Sequence, residues 1–191
     1  MLSAGAFGQI KTQWGLQGGF TESKVQILDN PDQANIHNEL DVYGGVFYRF
    51  YGKKFEIQPE FYYQKVGGSH TGFANRYEYL TVPLLFGYKP TEGLTLQIGP
   101  EYSYALSSKT TYAPDKPSDW GISTGFRIDM LDGFSLFSFN FRYTWGMSNV
   151  AERVSLSKIP LDFRNRIFQV GVSYNFSDLY RWNKKHKVVK K

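Results

Sequence analysis

The sequence predicts an all-β fold: an antiparallel up-and-down transmembrane β-barrel of about eight strands with a closed polar interior. Three observations support this prediction. Apolar and polar side chains alternate in segments of roughly 9 to 12 residues, the length that crosses a bilayer when the strand is tilted. Long and short connections alternate between these segments. No stretch offers the run of about 18 consecutive apolar residues that is typical of a transmembrane helix.

The clearest alternating segment covers residues 55–63. Successive residues of a strand point to opposite faces, so one face of this segment is apolar and the other is acidic. A membrane barrel turns its apolar face towards lipid. The prediction for the lipid face is Phe55, Ile57, Pro59, Phe61 and Tyr63, and for the lumen Glu56, Gln58, Glu60 and Tyr62.

The same alternation recurs along the chain. It covers residues 80–88, 94–104, 120–129, 136–145 and 168–176. Two further segments, residues 14–21 and 41–51, are rich in glycine, and their pattern does not assign the two faces. Together these segments give about eight strands in a single domain.

Connections between the predicted strands alternate in length. The short ones are residues 52–54, 90–93 and 130–133, and the long ones are residues 24–40, 66–77, 108–119 and 146–165. Each short connection contains a glycine, which can adopt the positive φ of a tight turn. Outer-membrane barrels have this arrangement, with short periplasmic turns, longer extracellular loops and both termini in the periplasm.

The polar faces supply charged side chains to the predicted lumen. They are Arg49, Glu56, Glu60, Glu101, Arg127 and Arg142. Eight strands enclose only enough space for side chains to pack. We therefore expect a closed interior of ion pairs and hydrogen bonds, in which acids and bases balance, and not a pore. A paired-carboxylate active site at Glu60 and Glu101 is the alternative, and it requires a cleft that admits substrate.

Three prolines, Pro59, Pro83 and Pro100, fall inside predicted strands. Proline has no backbone N–H and cannot donate a hydrogen bond to the neighbouring strand. We expect bulges or shortened pairing near these positions.

Composition limits the possible chemistry. The 191 residues contain no cysteine, which excludes disulfides, thiolate metal sites and cysteine nucleophiles. No phosphate-binding glycine loop, metal-spaced histidine pair or nucleophile elbow is present, so the sequence predicts no catalytic, cofactor or metal site. His37 and His70 fall in predicted extracellular loops. A barrel enzyme acting on lipid or peptide, with His70 near Ser69 or Glu78, remains an alternative, as does a soluble lipocalin-like carrier whose apolar face points inward.

The two ends of the chain differ from the predicted barrel, residues 9–176. Residues 1–8 are small and apolar and look like the remnant of a secretory signal peptide. Residues 177–191 form a basic tail, and residues 181–191 hold six of the 22 basic side chains. The remaining 16 basic and 17 acidic side chains nearly cancel, so the fold itself gives no support for nucleic-acid binding. Anionic lipid headgroups or an acidic protein are candidate partners of the tail.

Three motifs follow one another in the chain: QPEFYYQK at residues 58–65, YLTVPLLFGY at residues 79–88 and GPEYSYAL at residues 99–106. In this order they resemble strands of the PorT-like outer-membrane β-barrel family of Bacteroidota, and residues 126–149 and 165–176 resemble its last strands. The architecture predicts a small monomeric barrel in the bacterial outer membrane with a structural or interaction role, exerted through its extracellular loops or its periplasmic tail. The resemblance implies a link to type IX secretion.

The last predicted strand carries a second resemblance. Gln169, Gly171, Tyr174 and Phe176 match, position by position, the signal by which the outer-membrane insertion machinery recognises its clients. The resemblance implies contact with that machinery and with outer-membrane lipid. Such signals usually end the chain, whereas residues 177–191 follow here.

Overall fold

The structure is a computed structural model that describes residues 11–27, 36–70, 73–110, 117–130, 136–148, 153–154, 160–161 and 163–176. Residues 1–8 and 177–191, predicted to be a signal-peptide remnant and a basic tail, lie outside this part of the chain. Within it, no helix is both long enough and apolar enough to cross a membrane.

The described residues form a closed antiparallel barrel of eight long strands, which confirms the predicted fold class. The eight barrel strands are β1 (Lys11–Ile27), β2 (Ile36–Tyr51), β3 (Phe55–His70), β4 (Phe73–Thr91), β5 (Leu94–Thr110), β6 (Ser118–Asp129), β7 (Phe137–Gly146) and β10 (Phe163–Asn175). Two short strands, β8 (Arg153–Val154) and β9 (Pro160–Leu161), lie between β7 and β10 in the chain. Among the described residues, the short strands β8 and β9 pair with each other and with no barrel strand. The long strands pair in sequence order, and β10 closes the barrel against β1.

Side chains alternate between lipid and lumen as the sequence predicts. On β3, Phe55 is 68% exposed and Phe61 47%, whereas Glu56 and Glu60 are each 3% exposed. The Gly-rich strands follow the same rule, with Trp14 on the outer face of β1. Because the apolar face points outward, a soluble carrier with an apolar interior is excluded.

Two of the three turns at the periplasmic end are short, as predicted, whereas the connection between β6 and β7, residues 130–136, is longer than the predicted 130–133. Strand β2 ends at Tyr51, and β3 begins at Phe55. Between β4 and β5, Gly93 has a φ of 81°, which a glycine adopts without steric cost.

Strands β1 to β5 are longer than predicted, with 16 to 19 residues each. Since about 9 to 11 tilted residues cross a bilayer and the periplasmic turns are short, the extra length lies at the extracellular end. Much of the predicted loops 24–40 and 66–77 is therefore strand. His37 and His70, predicted to lie in loops, belong to β2 and β3. The prediction was wrong here because lipid imposes the alternation that reveals a strand, and pairing continues where lipid ends.

The three strand prolines shorten the pairing without shifting its register. Two consecutive rows of partners are missing beside each proline: Pro59 in the β2–β3 ladder, Pro83 in the β3–β4 ladder and Pro100 in the β4–β5 ladder. The register is the same on both sides of each gap. The register shifts lie elsewhere, between residues 38 and 43, 78 and 79, and 88 and 91. Shortened pairing is thus confirmed, whereas bulges do not occur at the prolines.

Candidate functional site in the barrel lumen

All six charged side chains predicted for the lumen lie inside the barrel. They come from five strands: Arg49 on β2, Glu56 and Glu60 on β3, Glu101 on β5, Arg127 on β6 and Arg142 on β7. Their exposed fractions range from 0% for Arg127 to 6% for Arg142. Alternation along each strand explains this placement, since each of these residues occupies a position opposite the lipid-facing side chains.

One ion pair joins opposite walls of the barrel. Arg142 donates from Nη1 to Oε2 of Glu60 at 2.8 Å and from Nη2 to Oε1 at 2.7 Å. Strands β3 and β7 are four strands apart in either direction around the barrel, so this two-pronged pair crosses the full width of the lumen. Gln17 and Gln58 also donate to Glu60, at 2.7 and 2.6 Å. Both carboxylate oxygens are therefore occupied.

A second cluster of charges lies nearer the periplasmic turns. Arg127 donates to both oxygens of Glu56, at 2.6 and 2.8 Å, and its Nε lies 2.7 Å from Asp129. Lys89 is 3.4 Å and Arg49 3.9 Å from the same glutamate. One carboxylate thus binds three basic side chains. Lys89 and Asp129 are absent from the predicted set of charges. Lys89 lies one residue beyond the alternating segment 80–88, and Asp129 is the last residue of the segment 120–129.

Hydroxyl groups, and not a basic side chain, hold Glu101. Its Oε2 accepts hydrogen bonds from Tyr62 at 3.1 Å, from Thr144 at 3.2 Å and from Ser123 through a short bond. Within the described residues no basic nitrogen lies within 4.0 Å of this carboxylate. Glu101 therefore joins the interior through three hydroxyls, which differs from the ion pair that a balanced count of arginines and glutamates predicts.

Towards the extracellular end the interior changes from polar to apolar. Gln64 donates to Thr81 and accepts from Gln169, both at 3.0 Å. Beyond this layer lies a buried aromatic and aliphatic cluster of Val66, Tyr77, Tyr79 and Ile167. The sequence reasoning missed this cluster because part of it falls in the stretch predicted to be a loop.

The interior has the chemistry of a packed core. Glu60 binds Arg142 with both oxygens, and Glu101 is 2% exposed, so a paired-carboxylate site has no access for substrate at these side chains. On the β3–β4 ladder His70 lies opposite Phe73, while Glu78 lies opposite Lys65, five residues or roughly 17 Å further along the strand. In the described part of the chain, no group of three or more potential ligands among His, Cys, Asp and Glu is placed to hold a metal ion.

The residues of the predicted insertion signal divide between the two faces of β10 and the position just after it. Gln169 is buried in the lumen and donates to Gln64. Tyr174 packs on Phe137 with ring centroids 5.1 Å apart, and Phe176 stacks on Trp14 at 4.8 Å. These two aromatic contacts lie at the periplasmic end, where barrels carry an aromatic girdle. Recognition by the insertion machinery remains a prediction.

Gly171 has a packing role that can be separated from recognition. A Cβ at this position would collide with the hydroxyl of Tyr43 and lie 2.7 Å from the carbonyl oxygen of Gly18. We expect Gly171→Ala to lower the free energy of unfolding by about 1–3 kcal/mol, because the wall must shift. Urea unfolding of protein refolded in detergent, without any insertion machinery, measures this change.

A second variant tests the cause of this expected loss. Adding Tyr43→Phe to Gly171→Ala removes the colliding hydroxyl, so part of the stability should return. Unchanged stability of Gly171→Ala in detergent, combined with slow assembly in the presence of the insertion machinery, would contradict the packing role and favour recognition.

Comparison with known proteins agrees with this architecture. A family described as "Outer membrane protein beta-barrel domain" matches residues 7–152. The fold is similar to that of Ail, the attachment invasion locus protein of Yersinia pestis, crystallised with the heparin analogue sucrose octasulfate: 14% identity over 87% of this chain and 99% of that chain, with a TM-score of 0.52. Neisserial surface protein A is also similar, with 8% identity over 87% and 99% of the two chains and a TM-score of 0.55. Comparison with curated proteins finds no match.

At these identities the likeness to Ail and to Neisserial surface protein A shows the fold alone. The family match covers more than half of the chain. Together with the apolar outer wall and the closed barrel, it locates the protein in the bacterial outer membrane. The chain belongs to the family of outer membrane protein β-barrel domains.

Proposed function

We propose that this protein is a non-conducting and non-catalytic outer-membrane barrel with a structural or interaction role. The observation that carries the proposal is the pair between Arg142 and Glu60, which crosses the lumen from β7 to β3. Separating a buried pair of this kind leaves two uncompensated charges in the interior, which is strongly unfavourable. The cluster around Glu56 lies on one side of this pair and the apolar cluster around Tyr77 on the other. A solute would have to displace all three layers.

The contact surface for a partner is the extracellular end of the long strands. Strand β3 has 16 residues, so roughly six residues, or about 20 Å of strand, extend beyond the length that crosses the bilayer. Its ladder with β4 continues to the row of His70 and Phe73. A paired hairpin holds its backbone in one conformation, which lowers the ordering cost of binding. We expect a single barrel to meet its protein partner there.

Planar-bilayer recordings test whether the lumen is closed. We expect no stepwise conductance from the wild-type protein, because side chains bridge the lumen. The double variant Arg142→Ala/Glu60→Ala removes one of the three layers. Because the cluster around Glu56 and the apolar cluster remain, we expect only brief events of low conductance from this variant. Arg142→Gln/Glu60→Gln keeps most of the volume and hydrogen-bonding groups, so it serves as the matched control and should stay closed. Sustained single-channel currents from the wild type would refute the proposal.

We also propose that the barrel belongs to the PorT-like group and acts beside type IX secretion. Support comes from the ordered motifs at residues 58–65, 79–88 and 99–106. Deletion of the protein in its host should reduce the amount of secreted cargo, and complementation with residues 1–176 tests the basic tail as a partner contact. Unchanged secretion in the deletion strain overturns this role and leaves the closed-barrel proposal intact.

A further inference from the structure

The outer wall formed by β1, β2 and β3 carries an apolar groove. Its volume is about 490 Å³. The outward-facing residues that line it are Trp14, Val46, Tyr48, Pro59 and Phe61. The buried residues Gly15, Phe47 and Glu60 complete the lining. Since the five outward-facing side chains lie towards the bilayer, the groove opens to lipid.

Small residues create this groove. Pro59 interrupts the β2–β3 ladder in the row that it shares with Tyr48, and its compact ring lies between larger side chains. Towards the middle of the membrane, Gly18 and Gly44 are partners in the β1–β2 ladder, and neither has a side chain. A Cβ added to Gly44 would meet no atom nearer than a carbonyl oxygen at 3.8 Å. The outer wall therefore has an indentation that extends beyond the groove.

The periplasmic edge of the same wall is basic. Lys53 and Lys54, in the β2–β3 turn, are exposed, and so is Lys11, which lies at the rim of the barrel at the start of β1, in phase with the inward-facing Gln13. Trp14 is three residues from Lys11, and Pro59 is five residues from Lys54, so the groove lies roughly 10–17 Å from the lysines along the strands. One leaflet, headgroups included, is roughly 20 Å thick, which spans this separation.

We propose that the groove binds one acyl chain of an anionic phospholipid from the periplasmic leaflet, whose phosphate contacts Lys11, Lys53 and Lys54. The groove supplies an apolar surface at the depth of the acyl chain. The three lysines supply charge complementarity at the depth of the headgroup, where each basic side chain favours anionic lipid. An aromatic ring such as Trp14 near the membrane interface fits this boundary between apolar and polar regions.

Native mass spectrometry of the full chain tests the proposal. The protein is equilibrated with vesicles of equal parts phosphatidylglycerol and phosphatidylcholine and is then extracted into detergent. We expect the wild type to retain one phosphatidylglycerol per barrel. Val46→Trp, which fills the groove, should abolish retention of either lipid. Lys11→Gln/Lys53→Gln/Lys54→Gln should lower the preference for the anionic lipid by at least about tenfold.

Two matched variants control for unspecific effects. Val82→Trp places the same bulk on β4, at a valine that is 45% exposed compared with 47% for Val46, and should retain the lipid. Lys24→Gln/Lys65→Gln removes two charges near the opposite end of the barrel and should also leave the preference unchanged. The mobility of unboiled samples on gels shows that each variant is folded.

Several outcomes overturn the proposal. They are a wild type without retained lipid, equal retention of both lipids, and loss of lipid from Val82→Trp as from Val46→Trp. Displacement of the lipid by millimolar inorganic phosphate, with Val46→Trp still binding, would show a site for phosphate alone. The closed lumen is tested separately by conductance, so failure here leaves it untouched.

Discussion

Replacing Arg142 with leucine is expected to destabilise the barrel by about 3–5 kcal/mol. Glu60 is 3% exposed and would lose both N–H donors that cross the lumen, so a carboxylate would remain in the interior without its counter-charge. Equilibrium unfolding in urea, followed by tryptophan fluorescence after refolding into vesicles, measures the change. This loss is a substantial fraction of the stability of a typical domain, about 5–15 kcal/mol.

The double variant Arg142→Leu/Glu60→Leu distinguishes an uncompensated charge from lost packing. Removing both charges should recover at least half of the lost stability, since an apolar replacement of a buried pair is often nearly neutral. Glu92→Leu, in the exposed β4–β5 turn, should change the stability by no more than about 0.5 kcal/mol. Additive losses in the double variant would show that the pair does not act as a unit.

Arginine in place of Ile98 is expected to cost about 2–4 kcal/mol. Ile98 is 57% exposed on the outer face of β5, four residues above the periplasmic turn, and therefore lies near the middle of the bilayer. A guanidinium at that depth must lose its water or deform the bilayer. Unfolding in vesicles gives the difference in stability.

The depth of the substitution is the control for this second prediction. Phe55→Arg lies at the first residue of β3, beside the turn, where the same charge reaches the headgroups and should cost about 0–1 kcal/mol. Equal costs at Ile98 and Phe55 would contradict the burial of Ile98 in lipid, because only a membrane makes the penalty depend on depth.

The sequence predicts the faces of the strands well where lipid determines them. Phe55, Ile57 and Phe61 are recognisable because every second residue must be apolar within the bilayer. The same rule assigns no face of the strand to Gly45, because glycine has no side chain. Its inward direction becomes visible only from pairing, since a Cβ there would collide with the backbone of Tyr62. The alternation rule also assigns no face to Val66, because β3 extends beyond the bilayer at this residue.

The sequence does not predict which side chains contact each other across the lumen, and the reason is a different one. Alternation assigns Glu60 and Arg142 to the interior, but the two residues are 82 positions apart in sequence. Only barrel closure and register determine that β3 faces β7. The same geometry places Ser123 and Thr144 beside Glu101. Their hydroxyl groups therefore bind this carboxylate, although the equal numbers of arginines and glutamates suggest an arginine as its partner.

The interrupted ladders have a consequence for how such a barrel can evolve. In the seam between β3 and β4, Glu60 occupies one of the omitted rows, opposite Pro83, and the same glutamate receives Arg142 from the far wall. Hydrogen bonds missing from a wall in the bilayer cannot be replaced by water. The side chains of the lumen thus stabilise the wall at a row where its own backbone pairing is missing. If the lumen of such a barrel evolved into a channel, the missing backbone pairing between β3 and β4 would have to be restored before the bridging side chains were lost.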